Sequence, residues 1–155
     1  MPLPVQIASV DDLPTVASCV SETVRLLAGR FWPGPFTLIV PKSESVSSLV
    51  SGGSENVGVR IPDHAVALAL LREVGSPIVA TSANIAGDSP AVRAECAIEK
   101  LGQAVSVVLD SGESALKVSS TVVDASVSPP GILREGAIGV EEIRQIVGEV
   151  NVGKQ

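Results

Sequence analysis

A short apolar run that passes directly into small polar residues is the feature that most restricts the fold of this chain. Residues 78–80 are apolar, residues 81–84 read Thr-Ser-Ala-Asn, and a glycine and a proline then interrupt regular structure before a helical pattern restarts near Ala91. In open α/β sheets, ligands bind just past the carboxyl end of a buried strand. We therefore predict a buried strand at 78–80 with Ser82 and Asn84 facing a ligand. The alternative is an Asx or serine turn that only ends the strand.

The composition predicts one globular domain of the α/β class. The chain has 155 residues, of which 45% are hydrophobic and 18% are charged, and such a chain can bury a core without cross-links. Because aromatic residues make up only 2% of the chain, the core must be built from Val, Leu, Ile and Ala, which suits a buried sheet. Strand and helix patterns do not alternate strictly, so we predict a mixed sheet. The scarcity of aromatic residues also argues against binding through base stacking.

The charge and the apolar runs restrict the partners. A net charge of −6 opposes tight non-specific binding of nucleic acid, which depends on many Lys and Arg contacts to phosphate. The sequence shows no signal peptide and no run of 18 apolar residues, so we predict a cytoplasmic protein without a membrane segment.

The small number of His and Cys residues restricts metal and thiol chemistry. One His and two Cys cannot form an all-nitrogen and sulfur metal site, so no metal ligand is assigned, and any metal would be Mg²⁺ that arrives with phosphate. We predict that Cys19 and Cys96 are free thiols buried in helices. His64 follows Pro62 and Asp63 at a predicted helix start, which favours a capping or surface role.

Helix and strand signals recur along the whole chain. Ser9 and Pro14 predict a helix start, and apolar residues at helical spacing extend to Gly29, where we expect the helix to end. Trp32 is predicted to anchor the core beneath a Pro-Gly-Pro turn, the alternative being a ligand contact. Further strands are predicted near residues 36–40, 56–62, 105–109, 119–124 and 132–138, and further helices near residues 63–74, 91–101 and 140–149.

Two arginines lie within otherwise apolar strands. Arg60 and Arg134 must either pair with carboxylates at the edge of the core or point towards an anionic ligand, and two arginines can clamp a carboxylate or phosphate. Ser82, Asn84 and Ser120 would complete such a pocket. Because the sequence contains no signature of an activated nucleophile or of paired carboxylates, no catalytic residue is assigned. The implied chemistry works by positioning and charge stabilisation, as in adenylyl or phosphoryl transfer.

Five segments in order resemble the YrdC-like family of threonylcarbamoyl-AMP synthases. They lie at residues 31–38, 57–64, 77–87, 120–124 and 132–138. The resemblance implies an α/β fold of the YrdC/RibB-like type, a twisted open mixed sheet with flanking helices and a concave cavity, over residues 1–150, with residues 151–155 as a tail. It implies that L-threonine, bicarbonate and ATP react to threonylcarbamoyl-AMP and pyrophosphate. The product would pass to a partner tRNA threonylcarbamoyl transferase, with at most a weak contact to RNA.

The resemblance also assigns roles to individual positions. Arg60 and Ser120 are expected to bind threonine. The residues expected to contact ATP are Asn56, Ser82, Asn84, Ser89, Pro90 and Arg134.

The sequence departs from the family pattern in three respects. Residues 89–90 read Ser-Pro where the family usually has Pro-Ser, and Gln6 stands in the place of a histidine. The family's earlier Pro-Thr-Glu-Thr and Lys-x-Arg segments precede the part of the pattern that this sequence matches. Without those basic groups we expect weaker catalysis, and without a central strand we expect exposed sheet edges.

Two other functions therefore stay open. The first is a truncated, non-catalytic remnant of the same fold that binds a nucleotide or RNA. The second, a carbamoyl-adenylate module of a larger maturation protein, is disfavoured because the sequence shows no acylphosphatase or zinc-finger region.

Overall fold

The computed structural model of the chain describes residues 2–85, 87–88, 91–114 and 118–153. The chain divides into two compact units, one formed by Met1–Ala80 with Val118–Gln155 and the other by Thr81–Lys117. The first unit holds a seven-stranded mixed sheet in the order β4-β1-β3-β2-β5-β6-β7. Its strands are β1 (Val5–Gln6), β2 (Phe36–Pro41), β3 (Asn56–Arg60), β4 (Ile78–Val79), β5 (Thr121–Asp124), β6 (Gly131–Arg134) and β7 (Asn151–Val152). Its helices are α1 (Leu13–Val16), α2 (Glu22–Phe31), α3 (Ser48–Ser51) and α4 (Ala65–Val74), with α6 (Val140–Val147) near its end.

The centre of the sheet shows why these residues form strands. β2 pairs antiparallel with β3 and parallel with β5. Side chains alternate between the two faces of a strand, and one face carries the fully buried residues. On β2, β3 and β5 these fully buried residues are Phe36, Leu38, Val40, Val57, Val59, Thr121 and Val123. Val24 and Leu27 of α2 and Ile143 of α6 belong to the same core, so this face of the sheet is covered and the predicted mixed α/β sheet is confirmed.

The prediction of one continuous helix over residues 9–29 is wrong, because the helix is interrupted. A 3₁₀ turn (Val10–Asp12) and α1 end at Val16, and α2 begins only at Glu22. Between them, Ala17 forms a β-bridge with Lys42 and the Ser18 backbone N–H donates to the Pro41 carbonyl. These contacts use backbone groups that a continuous helix would need, so tertiary pairing overrides the helical pattern.

The second helix also differs from the prediction at both ends. The Ser21 hydroxyl accepts a hydrogen bond from the Val24 backbone N–H and so caps its start. Gly29 does not end it, because α2 continues to Phe31.

Most of the other predicted elements are confirmed. His64 caps α4 by accepting a hydrogen bond from the Ala67 backbone N–H, as its predicted capping role requires. β7 lies in the stretch that the sequence analysis treats as a tail.

One strand prediction is wrong, and the predicted burial of another strand is wrong. Residues 105–109 form no strand and are exposed. The strand at 78–80 exists as β4, but it is not buried, since Val79 is 42% exposed. Within the described residues β4 pairs only with β1, so it is an edge strand, which agrees with the expected exposure of a sheet edge. A groove of about 550 Å³ lies beside it, lined mainly by the apolar side chains of Val5, Val16, Val46, Val50, Pro77 and Val79.

The second unit is helical. It contains α5 (Ala94–Leu101), which continues into a 3₁₀ turn (Gly102–Ala104). Cys96 lies on α5 and Cys19 in the first unit lies between two helices; both thiols are free, as predicted, but exposed rather than buried. Across the described ranges, no helix has both the length and the apolar character needed to cross a membrane.

Candidate ligand site

The polar side chains of the central strand β3 lie on the face of the sheet opposite the core. On β3, Asn56, Gly58 and Arg60 alternate with the buried Val57 and Val59 and therefore point away from the core. The parallel pairing of β1 with β3 makes Gln6 the direct neighbour of Arg60 on this face. Gln6 thus lies beside the arginine that the sequence predicts to bind threonine. Gln can donate and accept hydrogen bonds but cannot titrate.

The Pro-Gly-Pro turn at residues 33–35 holds the side chain of Arg60. The Arg60 Nε–H donates to the Gly34 carbonyl at 2.8 Å, and the Gly34 backbone N–H donates to the Ile61 carbonyl at 3.0 Å. A Cβ on Gly34 would lie 2.3 Å from the Phe31 carbonyl oxygen, so this turn requires glycine. Trp32 is buried and its indole N–H donates to the Phe36 carbonyl at 2.7 Å, which confirms its role as a core anchor.

Ser120 and Arg134 form a second polar pair at the same end of the sheet. The Arg134 guanidinium donates from Nε to the Ser120 carbonyl and from Nη2 to Ser120 Oγ, each at 3.0 Å. Ser120 Oγ lies 3.2 Å from Thr37 Oγ1 on β2. Leu38 pairs with Val59 in the antiparallel ladder of β2 and β3, which places Thr37 opposite Arg60, so the structure brings Arg60, Ser120 and Arg134 to the same end of the sheet.

A buried hydroxyl fixes the loop that follows Arg134. Thr121 Oγ1 donates to the Ile138 carbonyl at 2.7 Å and accepts from the backbone N–H groups of Gly136 and Ile138, each at 3.0 Å. The loop lies so close to β5 that a Cβ on Gly136 would lie 2.3 Å from the Ser119 carbonyl oxygen. Thr121 and Gly136 therefore hold Arg134 against Ser120.

The two arginines at this end of the sheet favour the binding of an anion. Burial lowers the pKa of the Arg60 guanidinium below its usual value, the nearby Arg134 lowers it further, and Asp63 offsets part of the effect. Among the residues that the structure describes, neither Arg60 nor Arg134 forms an ion pair with a carboxylate. Arg60 and Arg134 thus place two guanidinium groups at this end of the sheet. Two such groups offer several N–H donors to carboxylate or phosphate oxygens.

Asn56 lies on the same face but at the other end of β3. Four residues at a rise of about 3.3 Å separate it from Arg60 by about 13 Å. Its Nδ2 group donates to Ser126 Oγ at 3.0 Å. Asn56 is therefore a separate contact point on the face that carries the arginines.

The remaining predicted site residues belong to the second unit or lie outside the description. Asn84 Nδ2 donates to the carbonyls of Ile85 and Asp88 at 2.9 and 3.0 Å, so Asn84 does stabilise a turn. Its Oδ1 atom is nevertheless buried without a hydrogen-bond partner within the described ranges, which leaves an acceptor for a ligand. Ser82 is exposed. Ser89 and Pro90 lie outside the described residues.

Sequence reasoning missed the residues that support the site. Thr121 and Gly136 hold the Arg134 loop, and Asp124 and Ser126 hold Asn56. A hydroxyl residue in an apolar strand next to a predicted ligand contact was the available signal for Thr121. No local signal identified Ser126, because its partner Asn56 is 70 residues away.

Comparisons with known proteins agree with this fold. The Sua5/YciO/YrdC family model, described as "Telomere recombination", matches residues 1–136. The threonylcarbamoyl-AMP synthase of Pyrococcus abyssi is 40% identical over 151 residues, which are 97% of this chain and 44% of that protein. The Bacillus subtilis protein of the same name is 39% identical over 154 residues, 99% of this chain and 44% of that protein.

A solved structure extends this comparison to the fold. The crystal structure of Pyrococcus abyssi Sua5 complexed with L-threonine superimposes with a TM-score of 0.94 at 40% identity, covering 98% of this chain and 45% of that one. The chain thus spans less than half the length of these relatives. Its sequence and fold together show that it belongs to the Sua5/YciO/YrdC family.

Proposed function

We propose that this chain provides the catalytic domain of a threonylcarbamoyl-AMP synthase, a nucleotidyltransferase that converts L-threonine, bicarbonate and ATP to threonylcarbamoyl-AMP, pyrophosphate and water. The observation that supports it most directly is the pair of Arg60 and Arg134 beside Ser120, neither of which forms an ion pair with a carboxylate among the described residues. The names of the relatives and the threonine complex of one of them support the same reaction.

The reaction needs anion binding more than it needs a nucleophilic side chain. The amine of threonine forms a nitrogen–carbon bond to the carbon of bicarbonate, and water is lost. An oxygen of the resulting carbamate then attacks the α-phosphorus of ATP, and the bond to the β-phosphate breaks to release pyrophosphate. Bicarbonate, the carbamate, ATP, threonylcarbamoyl-AMP and pyrophosphate are anionic and threonine carries a carboxylate, so guanidinium groups that are already in place stabilise the developing charge.

The individual roles follow the chemistry of each side chain. We assign Arg60 and Ser120 to threonine, with the guanidinium binding its carboxylate. We assign Arg134 to the phosphates of ATP, with Asn56, Ser82, Asn84, Ser89 and Pro90 as further contacts to the nucleotide.

We assign Mg²⁺ to the ATP substrate and not to a site on the protein. Within the described ranges, no group of three His, Cys, Asp or Glu side chains could hold a metal ion. We therefore propose that Mg²⁺ enters as the counter-ion of the triphosphate, where it supplies positive charge.

The product implies a partner. Threonylcarbamoyl-AMP is a reactive mixed anhydride, so we propose transfer to a tRNA threonylcarbamoyl transferase in the cytoplasm. The net charge of −6 supports at most a weak direct contact of this chain with RNA.

The assay uses the whole chain with ATP, L-threonine and bicarbonate, and it measures pyrophosphate release and the adenylate. We expect Arg60→Ala to raise KM for threonine, and Arg134→Ala to raise KM for ATP, each by about 10- to 100-fold, since a hydrogen bond to a charged group contributes about 1.5–3 kcal/mol. Arg25→Ala, an exposed arginine on α2, is the matched control and should behave like the parent.

The outcomes separate the proposal from the alternatives. ATP binding by the parent without any product would favour the non-catalytic remnant. Product formation with unchanged KM values in both variants would contradict the assigned roles while leaving the activity established.

A further inference from the structure

A chain of hydrogen bonds at the start of β3 orients the amide of Asn56. Asn56 Nδ2 lies 3.0 Å from Ser126 Oγ, and Ser126 Oγ lies 2.5 Å from Asp124 Oδ1, which also accepts from the Ser126 backbone N–H at 3.0 Å. Three residues from β3 and from the end of β5 are thus connected. All three are half-buried, so the network is partly protected from competing water.

The single hydroxyl proton of Ser126 determines which groups in this network donate and which accept. A carboxylate only accepts hydrogen bonds, so the single hydroxyl proton of Ser126 is used on Asp124. Ser126 Oγ can then only accept from Asn56, and Asn56 must present its NH₂ group to Ser126. The carbonyl oxygen of Asn56 therefore faces away from the network, and it has no hydrogen-bond partner within the described residues.

The location of this oxygen restricts what it can bind. Asn56 shares a sheet face with Arg60 and lies about 13 Å from it along β3. An extended nucleoside triphosphate whose phosphates lie at the arginines reaches a comparable distance with its ribose and base. Those parts of ATP carry hydrogen-bond donors, namely the ribose hydroxyls and the exocyclic amine.

We propose that Asp124 and Ser126 are positioning residues that fix Asn56 with its carbonyl oxygen outward, so that Asn56 accepts a hydrogen bond from a donor on the nucleoside part of ATP. This inference rests on the proposed function and extends it, because it gives the polarity of one nucleotide contact and the two residues that impose it. Without Ser126, the amide can rotate and present either its donor or its acceptor to the ligand.

The test compares Ser126→Ala with Ser126→Thr, which keeps the hydroxyl. Ser45→Ala, whose hydroxyl donates to the Thr15 carbonyl outside the site, controls for the removal of a serine hydroxyl. We expect Ser126→Ala to raise KM for ATP about fivefold, the usual net effect of one hydrogen bond, with an unchanged KM for threonine. Ser126→Thr and Ser45→Ala should keep the parent's KM for ATP.

A second measurement separates positioning from a general structural effect. The parent and Ser126→Ala are assayed with ATP and with three analogues that each lack one of its hydrogen-bond donors. The analogues are 2′-deoxy-ATP, 3′-deoxy-ATP and purine riboside triphosphate, which lacks the exocyclic amine. We expect the parent to discriminate against one of these analogues and Ser126→Ala to lose about fivefold of that discrimination, and the affected analogue identifies the donor.

The possible results differ in what they overturn. Equal KM values and equal discrimination in the parent and Ser126→Ala would overturn the positioning role alone. So would a Ser126→Ala protein in which the KM values for ATP and threonine rise together. A parent that neither binds ATP nor releases pyrophosphate would overturn this inference together with the proposed function.

Discussion

At the scale of single residues, Thr121 shows how one hydroxyl can organise a site that it does not enter. The side chain is fully buried and makes three hydrogen bonds to the backbone of residues 136–138. The neighbouring Ser120 meets Arg134 through the same strand and loop. The geometry of Arg134 therefore depends on a residue that only contacts backbone.

We expect Thr121→Val to lower the free energy of unfolding by about 2–4 kcal/mol. Valine has nearly the same shape but leaves the N–H groups of Gly136 and Ile138 without an acceptor. Thr121→Ser keeps the hydroxyl and should cost only about 1 kcal/mol for the lost methyl group. Urea unfolding of both variants measures the difference, and equal stability of the two would show that the hydroxyl bonds contribute little.

The residues of the site differ in how far sequence could identify them. Arg60 and Arg134 could be predicted because a charged side chain in an apolar strand needs an anionic partner. Ser120 could be predicted as a polar group of the same pocket, but its role in binding threonine, like the assignment of Asn56 to ATP, comes from the resemblance. Thr121 and Ser126 could not be predicted, because their partners come from segments that only the folded chain brings together.

At the scale of elements, pairing between distant segments decides where helices begin and end. The strands β2, β3 and β5 could be predicted because their short apolar stretches are bounded by turn residues. The interruption before α2 could not, because it arises from contacts of Ala17 and Ser18 with the end of β2. Residues 105–109 have strand-like composition but form no strand.

Gly29 offers a direct test of the observed extent of α2. It is exposed within the helix, and a Cβ at this position would meet nothing within 4 Å. We expect Gly29→Ala to raise the free energy of unfolding by about 0.5–1 kcal/mol, because alanine is the better helix former. Thermal or urea unfolding measures this change, and destabilisation would indicate that the helix ends at Gly29 after all.

Gly136→Ala is the opposite case and serves as the contrast. Its Cβ would lie 2.3 Å from the Ser119 carbonyl oxygen and 2.6 Å from the Ser120 carbonyl carbon. Backbone atoms cannot yield as a flexible side chain can, so the loop must move. We expect this variant to be destabilised relative to the parent.

At the scale of the whole molecule, a positively charged site exists in an acidic protein. The chain carries a net charge of −6, yet burial and then the nearby Arg134 lower the pKa of Arg60, and neither arginine forms an ion pair with a carboxylate among the described residues. We expect this repulsion between the two guanidinium groups to cost stability in the protein without a bound anion. A bound anion should offset that cost.

We therefore expect pyrophosphate to raise the melting temperature of the parent. Binding at tenfold excess over Kd contributes about 1.4 kcal/mol, which corresponds to about 3–6 °C for a chain of this size. Arg134→Ala should lose most of this shift, whereas Arg25→Ala should keep it. Differential scanning fluorimetry measures all three, and equal shifts in all three would place the pyrophosphate elsewhere.

The turn that holds Arg60 also contains a natural spectroscopic reporter. The chain has one tryptophan and no tyrosine, and the buried indole of Trp32 is tied to the Phe36 carbonyl two residues beyond Gly34, whose own carbonyl holds Arg60. Emission excited at the indole band therefore originates from this single turn. Titrating substrates against the intrinsic fluorescence of the unlabelled protein would follow any rearrangement of the turn when the guanidinium of Arg60 takes up its ligand.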